Sequence, residues 1–77
     1  MTFEALVLGL RELHSEAPKG EKVTAIHLFG IRYSAELSTF TMSDLSKIAE
    51  NAGLSPKYGT EIRKMVRLSR YVEEKIK

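Results

Sequence analysis

Between Ala52 and Pro56 this chain has to end one helix and begin another. Upstream, Leu45, Ile48, Ala49 and Ala52 recur at helical spacing. Gly53 follows, where a residue of positive φ ends a helix at no steric cost. Ser55 is placed to cap the next helix, with Pro56 at its first position, where a missing N–H is harmless. The start of the first helix is also signalled. Thr41 and Asp44 make a capping-box-like T-x-x-D, and Phe40 and Leu45 stand at the two positions of a hydrophobic staple. Residues 41–67, TMSDLSKIAENAGLSPKYGTEIRKMVR, therefore read as two helices joined by a tight turn, with Leu54 tucked into the gap between them.

The flanks are helical too. Phe3, Leu6, Val7, Leu10, Leu13 and His14 follow the i, i+3, i+4, i+7 rule, with Thr2 as a cap. That helix should stop near Ser15 to Ala17, because Pro18 disfavours helix in the residue before it. A second helix is expected from about Gly20–Lys22 to Ser34 or Leu37. Val23, Ala25, Ile26, Leu28, Phe29, Ile31 and Tyr33 go nearly all the way round it. A helix apolar on every side is a buried one, either a central post or a surface covered by a second subunit. Gly30 within it implies a close helix crossing or a kink. His27 and His14 read as core-edge histidines rather than metal ligands, having no cysteine or paired carboxylate nearby. After Pro56 the pattern permits one helix to Ile76 or a break near Leu68 to Arg70. Leu68, on the polar side of a continuous helix, favours the break and a separate terminal helix.

The expected fold is all-α: one domain over residues 1–77, a small bundle of four to five helices. Residues 1–40 form a helical support and a candidate dimer surface, 41–67 the tight helical pair, and 68–77 a C-terminal helix. A chain of 77 residues buries only roughly 60–65% of its unfolded surface, so pairing with a second copy would help it. The chain has no cysteine, which fits a reducing cytoplasm and rules out thiolate metal sites. No apolar run approaches the roughly 20 residues needed to span a bilayer. Glu4 stands where a signal peptide requires lysine or arginine.

Net charge is only +2, but it is unevenly placed. Residues 1–40 carry four basic and five acidic side chains, and residues 41–77 carry eight and five. Within 55–70, Lys57, Arg63, Lys64, Arg67 and Arg70 face a single carboxylate, Glu61. Positive charge gathered on one element suits a polyanion.

Residues 45–64, LSKIAENAGLSPKYGTEIRK, resemble the helix-turn-helix unit of bacterial and phage DNA-binding proteins. The resemblance lies in a small residue at the helix contact (Ala49), a glycine four on (Gly53), the apolar Leu54, and Ile48 and Ile62 as core positions. Gly59 departs from it, since the family usually has a branched apolar residue there. That departure implies a thin spot, with Tyr58 as a candidate to fill it. The resemblance implies a second helix lying in the major groove of double-stranded DNA. Ser55, Lys57, Thr60, Glu61 and Lys64 would then lie at base edges, with the two lysines donating to guanine and Glu61 accepting from cytosine N4. Arg63, Arg67 and Arg70 would contact phosphate, and Thr41 and Ser43 would offer donors to another. It further implies a transcriptional regulator acting as a homodimer. The alternative is an adaptor domain that keeps the shape without nucleic acid and exposes an apolar patch on the 23–33 or the 3–14 helix, with Phe29 or Ile31 in solvent as its favouring sign. No cysteine nucleophile, glycine-rich phosphate loop or H-E-x-x-H motif points to an enzyme, a cofactor or a small-molecule substrate.

Overall fold

Residues 1–75 are described by a computed structural model. Their five helices run in the order α1 (Phe3–Glu16), α2 (Lys22–Arg32), α3 (Ser34–Leu37), α4 (Met42–Asn51) and α5 (Tyr58–Leu68). Thr2 caps α1 by accepting from the Ala5 N–H at 3.1 Å. At the other end, Lys22 Nζ donates to the carbonyls of His14 (2.7 Å) and Ser15 (3.3 Å). A cation there satisfies acceptors that have no partner inside the helix. Gly20, at φ 92°, turns the chain into α2.

The second helix, expected to reach Ser34 or Leu37, is interrupted at Tyr33 (φ −107°, ψ 25°) and resumes as the single turn α3. It is the central post on one side only. Ala25, Ile26, Phe29 and Gly30 are buried, while Val23 is exposed. The close crossing accounts for Gly30. A Cβ there would lie 2.6 Å from Met65 Cβ and 3.0 Å from the Ile62 carbonyl, so α2 and α5 meet almost backbone to backbone.

All five helices contribute to one core. Leu6 and Leu10 of α1, Ile26 and Phe29 of α2, Leu37 of α3, Leu45 and Ile48 of α4 and Ile62 of α5 are fully buried. Phe29 and Tyr33 stack at a tilt, ring centroids 5.3 Å apart. α5 packs against α2, α3 and α4, and α1 closes the far side against α2 and α4.

The expected C-terminal helix over 68–77 does not form across 69–75. α5 stops at Leu68, residues 69–71 make a turn, and 72–75 are non-helical. A continued helix would keep Val72 on the packed face, but Val72 is exposed, as is Tyr71. Instead the Arg32 guanidinium grips Glu74, with Nε donating to Oε1 at 2.9 Å and Nη2 to Oε2. Ile76, the last apolar position of the anticipated helix, lies outside the described residues. Among those residues no helix is long and apolar enough to cross a membrane.

Candidate nucleic-acid interface

The corner between α4 and α5 is built from backbone hydrogen bonds. α4 opens with a complete capping box: Thr41 Oγ1 accepts from the Asp44 N–H, and Asp44 Oδ2 from the Thr41 N–H, each at 3.1 Å. It closes with Gly53 at φ 88°. The Gly53 N–H donates to the Glu50 carbonyl at 3.0 Å and the Leu54 N–H to the Ala49 carbonyl at 2.9 Å. That pair of bonds is a Schellman motif, which needs a left-handed residue at its centre. Leu54 then packs against the core, as the sequence suggests.

The start of α5 differs from expectation. Ser55 does not cap it through its side chain, and the helix begins at Tyr58 rather than Pro56. The carbonyls of Ser55, Pro56 and Lys57 accept from the N–H groups of Tyr58, Gly59 and Thr60 at 3.0–3.2 Å. These i→i+3 bonds satisfy the donors that a serine hydroxyl would otherwise serve.

Gly59 is not a thin spot in the packing. It is buried, and a Cβ there would sit 2.6 Å from Ser46 Oγ, 2.8 Å from its N and 2.9 Å from its Cα. Two of those atoms are backbone, so α5 crosses α4 at a distance only glycine permits. Tyr58, half-buried against the core, fills no void at this position.

This packing turns one face of α5 outward. Thr60, Lys64 and Arg67 are exposed at the four-then-three spacing of one helical stripe, with the exposed Lys57 at the N-cap before it and the exposed Tyr71 in the turn after it. Arg70 is exposed beside it, and Ser55 is half-buried at the turn.

Three other expected contacts are already engaged within the protein. Glu61 faces α2, where its Oε1 lies 3.2 Å from His27 Nε2, and its Oε2 lies 3.1 Å from Lys64 Nζ. These partners, His27 foremost, hold the carboxyl below the usual carboxylate range. His27 is thereby the core-edge histidine with one partner. Arg63 is half-buried, and its Nη2 donates to the Phe40 carbonyl at 2.9 Å, tying α5 to the connector before α4. The Thr41 N–H belongs to Asp44, whose carboxylate would also meet an anion at that helix start, leaving Ser43 exposed there.

Sequence reading missed α3. Ser34 and Ser38 from that turn join Arg63, Arg67, Ser69 and Arg70 around a hollow of about 420 Å³. Nothing local in the chain signals this meeting, since the two sets are about thirty residues apart.

A family model described as HTH-like domain matches residues 2–75. The chain belongs to that family. The match extends the resemblance from the central hairpin to nearly the whole chain, so α1, α2 and α3 are part of the HTH-like domain rather than an addition to it. No curated protein and no solved structure matches the chain.

Proposed function

We propose that this HTH-like domain is a small sequence-specific DNA-binding protein, a transcriptional regulator that acts in the cytoplasm as a homodimer and has no catalytic activity. The observation that supports this reading most is the open cationic stripe on α5, held at a corner with α4 by Gly53, Leu54 and Gly59. A helix presented in this way enters the major groove with its N-terminal residues at base edges. Lys57, Thr60 and Lys64 then face the bases, with Ser55 beside them at the turn. Arg67 and Arg70 face phosphates, where affinity arises without sequence preference. Glu61 holds Lys64 in position and reaches a base only by leaving His27.

A single such unit contacts too little DNA for tight specific binding, and two-fold pairing doubles the contact. Leu8, 52% exposed on α1, lines with Phe3 and Val7 a shallow hollow edged by Glu4, Arg11 and Asn51, a mixed surface open to that pairing. The adaptor alternative expects an exposed apolar patch on the 23–33 or the 3–14 helix. Phe29 is fully buried and Ile31 half-buried, which speaks against it, while Leu8 and Val23 are exposed on those helices, which fits it.

A fluorescence-anisotropy titration of the full chain against mixed-sequence duplex DNA tests the proposal. Binding is expected at about 50 mM salt and should weaken steeply towards about 200 mM. Absence of binding at the lower salt, or affinity indifferent to salt, would overturn it.

A further inference from the structure

The hollow between α3 and the C-terminal half of α5 has a chemistry of its own. Three arginines line it (Arg63, Arg67 and Arg70), and no acidic residue does. Among the described residues Glu61 pairs with His27 and Lys64, Glu74 pairs with Arg32 and Asp44 closes the α4 capping box, while Glu73 shares a separate hollow with Arg70 and does not line this one. Like charges around one space repel until a counter-ion enters. Arg63 is fixed in advance by its bond to the Phe40 carbonyl, a neutral acceptor that leaves its charge uncompensated. Its Nε is enclosed with no hydrogen-bond partner among the described residues. The Ser38 and Ser69 hydroxyls donate to the Ala35 and Val66 carbonyls, so the guanidiniums supply the donors, with Ser34 beside them.

We propose that this hollow is a binding pocket for one phosphoryl group, distinct from the base-facing end of α5 at Lys57 and Thr60. Arg67 and Arg70 bind it directly, and Arg63 supplies a third, preorganised charge. A guanidinium fork suits carboxylate and phosphate alike. The Arg67 and Arg70 forks are open and Arg63 adds a third positive charge, which favours a phosphoryl group, carrying up to two negative charges, over a singly charged carboxylate. The source is either a free phosphorylated small molecule or a backbone phosphate of DNA. Only the second rests on the DNA-binding reading above.

The test is a set of NMR amide titrations of the full chain, each at constant ionic strength, with the duplex titrations repeated at several salt concentrations. The probes are inorganic pyrophosphate, acetate and a mixed-sequence duplex, applied to wild type and to R67Q, R70Q and K57Q. Both arginines are exposed, so the folds should persist, and the spectra report this directly. Saturable pyrophosphate shifts at residues 34–38 and 66–70 are expected, weakened about tenfold or more by R67Q or R70Q and unchanged by K57Q. That result supports a free phosphoryl ligand whether or not the duplex binds. No pyrophosphate binding, but duplex-induced shifts at 34–38 and a salt slope reduced by about one in R70Q, supports a DNA phosphate as the occupant. Three outcomes overturn the pocket: equal shifts with acetate, equal weakening by K57Q, or silence at 34–38 with both phosphate probes. A duplex that binds while 34–38 stays silent leaves the DNA reading standing and removes the pocket alone.

Discussion

On the inward face of α5, Gly59 and Ile62 meet their neighbours with no room for an added methyl group. On the outward face, Thr60, Lys64 and Arg67, with Lys57 at the N-cap, reach into solvent, and among the described residues the one ion pair they make is that of Lys64 with Glu61. The inward residues are dictated by packing density, because a close-packed interior registers a change of one methylene. The outward residues contribute little to folding, because exposed charges in water gain little from one another. Side chains that the fold does not need are free to serve a ligand. The face that determines the fold and the face proposed to act on DNA thus share one eleven-residue helix without competing.

Substitutions should separate the two faces. Charge reversal on the outside, K64E with R67E, should abolish duplex binding, at roughly 1–3 kcal/mol for each position. Its effect on urea unfolding should stay within about 0.5 kcal/mol. Binding that survives the double reversal breaks the comparison, because the outward face would then have no ligand role. On the inside, G59A places a methyl group against the Ser46 backbone and should cost roughly 1–3 kcal/mol in the same urea experiment. An unchanged midpoint would show that α4 and α5 are not in close contact there.

Two smaller effects sharpen the picture. T41A removes half of the α4 capping box and should cost about 1 kcal/mol, read as a lower melting temperature. E74Q breaks the clasp that holds the chain end to α2 and should cost less than about 1 kcal/mol near neutral pH. Its pH dependence has a definite sign. The Arg32 guanidinium holds the Glu74 carboxyl below its ordinary value. The clasp therefore stabilises the fold above the ordinary glutamate range and is lost as pH falls through the lower folded value. The gap between wild type and E74Q should close on going from about pH 6 to about pH 2. A gap that widens on acidification would refute the pairing.

The sequence by itself determined what depends on near neighbours. The Thr41–Asp44 box, the Gly53 corner, the Thr2 cap and the amphipathic stripes are set within a few residues, where side chains and backbone meet whatever the rest of the chain does. The outward cationic face was legible for the same reason, since helical spacing alone places Thr60, Lys64, Arg67 and Tyr71 on one side, flanked by Lys57, Arg63 and Arg70, of which Arg63 proves half-buried. Only the tertiary structure decided which side chains of α5 would find partners. Glu61 meets His27 across 34 residues and Arg63 meets Phe40 across 23, and neither pairing has a local signature. Gly59 looked like a packing defect until Ser46 was seen against it. The break at Leu68 was legible in the sequence, since Leu68 falls on the polar side of a continued helix, but the course of the chain after it was not, because Arg32 holds Glu74 against α2 while Tyr71 and Val72 stay in solvent. Contacts between distant segments form only when the whole core assembles, so they follow from its geometry and not from any stretch of sequence read alone.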